Sequence, residues 1–269
     1  MRSSVVEAEG AQLYCEVRGQ GPALLMISGS GGDAGYYAEA AEVLGDAFTV
    51  IAYDRRGNSR STGEPEAPTS VSEQAADAKA VIDRLAGGRA LVFGNSAGAI
   101  IGLALAAEHP EALSGLIAHE PPLVQLLPEG DPWRGFFDEM IGLARDEGLV
   151  PAAVRFGSTI HGEGTYAWPA DVWKRFAGNR DRIFLREFPA LRDFVPGFEA
   201  LAGVPFPIVM AAGAEDRGRY YATPSLVIAE RLGVPWTEFP GYHMPFMERP
   251  AAFVAALRAV VQQMDLRSP

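Results

Sequence analysis

The 269-residue sequence predicts an α/β chain: an eight-stranded, mostly parallel sheet covered by helices on both faces, interrupted by a helical insertion. Three observations predict it. Short apolar runs alternate with helix-like segments along most of the chain. The central runs are continuously apolar, as in strands buried on both faces. One long stretch, 123–200, carries no strand signal and is punctuated instead by aromatic residues and prolines.

The elements follow in order. Val5–Ala8 and Gln12–Val17 alternate around Glu9-Gly10, the pattern of a hairpin. Ala23–Ile27 is a buried strand ending in Ser28-Gly29-Ser30-Gly31-Gly32, and Phe48–Tyr53 is the next, leading into Asp54-Arg55-Arg56-Gly57-Asn58-Ser59. A helix is predicted over Val71–Leu85, a strand over Ala90–Phe93, and a second helix that stops before Pro110. Leu113–Ala118 is a further strand, closed by His119-Glu120-Pro121-Pro122. After the insertion the alternation resumes with Pro207–Ala212, a helix near Ser225–Leu232, a strand near Trp236–Phe239, and a last helix to about Met264. Residues 1–122 and 201–269 therefore read as the body and 123–200 as a lid.

Hydrophobic residues make up 48% and charged residues 21%, a globular balance. The net charge of -11 opposes binding to nucleic-acid backbones or anionic membrane surfaces. A single cysteine, Cys15, allows no intramolecular disulfide and reads as a small filler in an early strand. Met1–Gly10 has no apolar run, so no secretory leader is expected, and the expected location is cytoplasmic. Four histidines and one cysteine show no metal-ligand spacing, and neither metal nor organic cofactor is expected. The expected partner is a small-molecule substrate, with a homodimer compatible with the chain.

Gly94-Asn95-Ser96-Ala97-Gly98 fits G-x-S-x-G between a strand and a helix. A turn that tight forces the middle residue into strained backbone and projects its side chain above the sheet, the placement of a nucleophile. The helix N-terminus would point the Ala97 N–H at a developing oxyanion, and Asn95 would border the substrate. His243, on the loop after the last strand, falls at the same sheet edge and is the candidate base. His109 reads as a surface residue, His119 as structural, and His161 as an ordinary residue of the insertion, where contact with a ligand is the alternative.

Two carboxylates fall where a histidine could use one. Asp216 follows the strand Pro207–Ala212, among Glu215, Arg217 and Arg219, where a surface ion cluster explains it equally well. Glu120 stands at an abrupt strand end fixed by two prolines. Either could orient His243 and stabilise its imidazolium, and the residues themselves leave both open.

At these residues the sequence resembles the α/β-hydrolase superfamily over essentially its whole length. Asp54-Arg55-Arg56-Gly57-Asn58-Ser59 looks like its D-x-R-G-x-S turn. Ser28-Gly29-Ser30 stands where the superfamily carries an H-G-x oxyanion turn, with Ser28 in place of His. The resemblance implies Ser30 N–H as a second oxyanion donor beside Ala97, with Gly29 at the substrate. More narrowly, the chain looks like the branch containing zearalenone lactonases, whose acid lies in an H-E-x-P context after the sixth strand. Here that context is His119-Glu120-Pro121-Pro122, a 24-residue step from Ser96. The resemblance thus implies Glu120 as the acid, with Asp216 as the alternative.

The expected activity is hydrolysis of an ester or lactone through an acyl-enzyme. The aromatic insertion suggests an apolar substrate, with Trp168 and Trp173 as candidate lining residues. Carbon–carbon bond hydrolysis, cofactor-free peroxidase chemistry, or a small-molecule receptor with little turnover are the alternative functions.

Overall fold

The computed structural model describes residues 1–64, 66–160, 168–264 and 266. Its strands are β1 (Arg2–Ala8), β2 (Ala11–Arg18), β3 (Ala23–Ile27), β4 (Thr49–Tyr53), β5 (Ala90–Asn95), β6 (Leu113–His119), β7 (Ile208–Gly213) and β8 (Trp236–Phe239). They form one sheet in the order β1-β2-β4-β3-β5-β6-β7-β8. The hairpin strands β1 and β2 are antiparallel to their neighbours, and the remaining pairs are parallel. Every residue of β5 and β7 is buried, which is why those segments carry no polar alternation.

The body helices are α1 (Ala38–Leu44), α2 (Val71–Leu85), α3 (Ala97–Glu108), and, after the insertion, α9 (Thr223–Leu232), α10 (Pro245–Glu248) and α11 (Pro250–Gln263). Between β6 and β7 come α4 (Phe136–Asp146), α5 (Leu149–Ile160), α6 (Ala170–Gly178), a π-helical turn at Arg182–Glu187, α7 (Phe188–Asp193) and α8 (Phe198–Ala202), of which α8 crosses into the body. Helices α1, α10 and α11 pack together, while α2, α3, α8 and α9 form a second group. Helix α3 lies at the centre, buried from Ala97 to Ala106, and is accordingly apolar all round.

Close approach at its start requires glycine. A Cβ on Gly98 would lie 2.0 Å from the Ile27 carbonyl oxygen, and one on Gly94 would lie 2.3 Å from the Gly98 oxygen. Any side chain at either position would push α3 off the sheet.

The insertion has its own apolar centre, where Phe136, Phe137, Phe156, Phe184 and Phe188 sit with ring centroids 5.0–6.4 Å apart. Polar ties hold it to the body. Arg175 pairs with Asp33, Arg55 pairs with Glu187 at 2.7 Å, and the Asn179 amide donates to the Gly31 carbonyl at 2.7 Å. Among the described residues, no helix is long and apolar enough to cross a membrane.

Two short helices, α1 and α10, are absent from the sequence reading. Neither has a side-chain N-cap, and α10 is four residues long, so each depends on packing rather than on local signals.

Candidate active site

Strands β3 and β5–β8 run parallel, so the loops at their carboxyl ends gather at one edge of the sheet. All five of those loops carry residues of interest. Ser96 is the turn between β5 and α3, with φ 57° and ψ −124°. This left-handed backbone is costly for a residue with a Cβ and is held only because the strand and helix on either side are fixed. Gly29 is needed opposite it, since a Cβ there would lie 2.9 Å from the Ser96 Cβ.

Glu120, directly after β6, also has a positive φ of 51°. Its N–H donates to the Ala211 carbonyl at 2.9 Å, which locks the strained residue against β7. The carboxylate is fully buried and both oxygens are bonded. Glu120 Oε1 accepts from the Gly213 N–H at 2.8 Å, and Oε2 lies 2.6 Å from His243 Nδ1. A carboxylate on Nδ1 holds the proton there and leaves Nε2 as the basic nitrogen.

Asp216 is not part of a surface cluster, contrary to one reading of its neighbourhood. It is 0% exposed, while Glu215, Arg217 and Arg219 take the exterior. Tyr221 Oη donates to its Oδ1 at 2.9 Å, Arg219 Nε lies 3.8 Å from the same oxygen, and Oδ2 has no partner among the described residues. The Tyr221 ring packs on His243 with centroids 4.4 Å apart. The structure therefore brings both candidate acids to the site, and Glu120 is the one bonded to the histidine.

Burial dominates the electrostatics. It pulls the His243 imidazole down to about 4, against the opposing pull of the Asp216 and Glu248 carboxylates. It pushes Glu120 up, against the Gly213 N–H, and pushes Asp216 up with help from the Glu120 charge. A neutral imidazole is the form able to accept a proton.

Ser96 Oγ makes no hydrogen bond among the described residues, but Ser96 and His243 line the same cavity. Serine–histidine contacts of this kind commonly tighten only when substrate binds. The Ser30 and Ala97 N–H groups likewise have no acceptor in the chain among the described residues, leaving two donors beside Ser96. Ser28, in the position of the resembled family's histidine, is fully buried with its hydroxyl unpartnered.

Asn95 borders the cavity, yet its amide turns inward. Nδ2 donates to the His243 carbonyl at 2.9 Å and lies 3.0 Å from His119 Nδ1. Both side chains thus brace the histidine loop from beneath, a role for His119 that its burial matches.

Two apolar lobes meet at Ser96 and His243. One is lined by Tyr36, Trp168, Phe176 and Met244; the other by Phe136, Phe137, Phe188, Tyr220 and Tyr221. Their volumes, about 20 and 10 Å³, are small, and residues of the insertion form a wall of each. Trp168 lines the first lobe. Trp173 does not: it is 52% exposed and stacks on the outer side of Phe176. Helix α6 turns Val172 and Phe176 inward, four residues apart, which puts residue 173 outside. His161 lies outside the described residues.

A larger hollow of about 550 Å³ lies elsewhere, between the β1–β2 turn and α2. It is ringed by Glu9, Glu64, Glu73, Asp77, Arg56 and Arg182, and contains none of the groups above. Among the described residues, no cluster of His, Cys, Asp and Glu could hold a metal ion.

Comparison with known proteins shows the family. A model described as the alpha/beta hydrolase family matches residues 24–256. "Uncharacterized hydrolase YraK" of Bacillus subtilis is 32% identical, covering 93% of this chain and 94% of that protein. A hydrolase from Pseudomonas aeruginosa superposes with a TM-score of 0.79 at 25% identity, covering 96% of this chain and 98% of its own. A thermophilic esterase from Thermogutta terrifontis superposes with a TM-score of 0.76 at 20% identity, covering 98% and 99%, and shares the fold.

Proposed function

The chain belongs to the alpha/beta hydrolase family, and from that premise we propose that it cleaves an ester or lactone bond of a small apolar substrate through Ser96, His243 and Glu120. The observation that carries this reading is the 2.6 Å contact between His243 Nδ1 and Glu120 Oε2, beside a serine held in left-handed backbone in the same cavity. His243 Nε2 takes the Ser96 hydroxyl proton as Oγ attacks the carbonyl carbon, and the Ser30 and Ala97 N–H groups receive the oxyanion. Collapse breaks the carbon–oxygen bond, with the His243 proton going to the leaving alkoxide. The same nitrogen then deprotonates a water that releases the acid and frees Ser96.

Aromatic and aliphatic walls on both lobes favour an apolar acyl group and an apolar alcohol portion, or a lactone spanning both. Residues 1–122 and 201–269 form the body in this reading, and 123–200 the lid. The test is intact mass after treatment with an alkyl fluorophosphonate, with p-nitrophenyl butyrate turnover alongside. One phosphonyl adduct per chain and ester turnover are expected. A folded protein that takes no adduct and cleaves no ester sinks the reading, and a ligand bound without turnover would move it to a receptor.

The pH profile follows from burial. The working base is neutral His243, and burial lowers its proton affinity below the ordinary value of 6.5. The acid limb of kcat/KM is therefore expected below pH 6.5, with activity retained at pH 6 where an exposed histidine would have lost most of it. A limb centred at or above 6.5, on protein shown to stay folded, would contradict this.

A further inference from the structure

We propose that Arg55 and the insertion residue Glu187 are positioning residues that aim the Ser30 N–H into the oxyanion site. The inference rests on the serine-hydrolase reading above. Its starting point is a buried ion pair that the acyl-transfer chemistry does not use: Arg55 and Glu187 are each 1% exposed and 2.7 Å apart. Burying such a pair is expensive and contributes little net stability, so its placement calls for another reason.

The placement is specific. Arg55 Nη2 donates to Glu187 Oε1 at 2.7 Å and also to the Gly29 carbonyl at 2.8 Å. Its other terminal nitrogen donates to Gln74 Oε1, which fixes the plane of the guanidinium. Glu187 Oε1 in turn accepts from Ser30 Oγ at 3.3 Å. The peptide between Gly29 and Ser30 is thus held at its carbonyl by Arg55 and at the following side chain by Glu187.

A trans peptide directs its C=O and N–H to opposite sides. Holding the Gly29 carbonyl against Arg55 therefore turns the Ser30 N–H away from the guanidinium. The Gly32 N–H also donates to the Gly29 oxygen, at 3.0 Å, from within the same turn. That turn alone leaves the peptide free to tilt, because the loop has glycine at 29, 31 and 32. The buried fork removes the freedom.

Glu187 ends the π-helical turn of the insertion, whereas Arg55 and Ser30 belong to the body. One oxyanion donor is accordingly aimed correctly only while the insertion is seated. Closure over substrate and completion of the oxyanion site become a single event, which suppresses reaction in the open, wet site.

The experiment measures the second-order rate of fluorophosphonate labelling, with kcat and KM for p-nitrophenyl butyrate, in Glu187→Ala, Arg55→Lys and Asp77→Asn. Arg55→Lys keeps a cation against Glu187 but loses the fork that spans Gln74, Gly29 and Glu187. Asp77→Asn is the control for structural damage, because it breaks a second buried pair, Arg56–Asp77, whose mutual hydrogen bonds do not involve Gly29, Ser30 or Glu187. Glu187→Ala and Arg55→Lys are each expected to slow labelling and kcat by about tenfold or more, with KM little changed, as for a misaimed oxyanion donor. Asp77→Asn is expected to lower the unfolding midpoint without slowing labelling. Labelling of folded Arg55→Lys at the wild-type rate, or equal slowing by Asp77→Asn, overturns the inference. Absence of labelling in the wild type overturns the functional reading itself.

Discussion

Ser96→Ala is expected to lower kcat by roughly 10⁵-fold or more and to abolish the fluorophosphonate adduct, while the protein stays folded. The size follows from the division of labour at the site. Removing the nucleophile of a serine hydrolase removes everything the base and acid accomplish through it, leaving only binding and oxyanion stabilisation. Stability should change by less than about 1 kcal/mol, because alanine keeps the Cβ, and with it the strain of the positive φ, and Ser96 Oγ has no hydrogen bond to lose among the described residues. Residual ester turnover above a hundredth of wild type, in a preparation shown free of contaminating esterase, would place the nucleophile elsewhere.

The body of the fold was legible because its signals are local. Ala23–Ile27 and Ala90–Phe93 are apolar without alternation, and each runs into a glycine-rich turn, which marks a central parallel strand. Ser96 could be picked out for the same reason: strand, elbow and helix lie within a few residues of each other. The wall of the site was much less readable. Trp168 and Trp173 are both indoles on or before one short helix, and only the helix's rotation decides that the first meets the cavity and the second meets solvent. Val172 and Phe176 set the inner face four residues apart, but Trp173 is apolar and lies only three residues before Phe176, so the pattern alone does not separate it from that face. Arg55 and Glu187 were invisible for a stronger reason. They are 132 positions apart, and nothing in either neighbourhood distinguishes a buried pair from two solvated charges. The same limit applies to Asp216, whose charged neighbours point outward while it alone points inward.

The narrow lobes have a consequence for kinetics. Beside Ser96 they are walled by aromatic residues of the insertion, so a substrate larger than they are would enter by moving those residues away from the body. The ties formed by Arg175, Asn179 and Glu187 all lie on the later part of the insertion, while α4 and α5 meet the site through Phe136, Phe137, Phe156 and Ile160, with the uncharged Thr159–Tyr220 hydroxyl contact at 3.2 Å beside them. Apolar contacts separate without leaving unpaired charge, so opening is cheaper on the α4–α5 side. Bulky apolar substrates would then be favoured, since they replace the contacts that opening removes.

The identity of the acid gives the second large effect. Glu120→Gln is expected to lower kcat by about 10³- to 10⁴-fold, whereas Asp216→Asn should cost no more than about tenfold. The difference lies in which atom each carboxylate holds. Glu120 Oε2 is on His243 Nδ1, so an amide at that position can offer an N–H and favour the tautomer that protonates Nε2, the nitrogen needed as base. Asp216 holds Tyr221 and contributes only a nearby charge to the histidine. Both positions carry buried groups, so each variant must be compared at equal folded fraction. A greater loss in Asp216→Asn than in Glu120→Gln would mean that His243 turns from Glu120 to Asp216 during turnover. The unpartnered Oδ2 of Asp216 would then be the receiving atom. Comparable, modest losses in both single variants and a collapse in the double variant would instead mean that either carboxylate can orient the imidazole. The 2.6 Å contact to Glu120, anchored from behind by the Gly213 N–H, argues for the larger loss in Glu120→Gln. Its Oε1 bond prevents the carboxylate from following the ring if the histidine moves, so the site is built for one fixed acid.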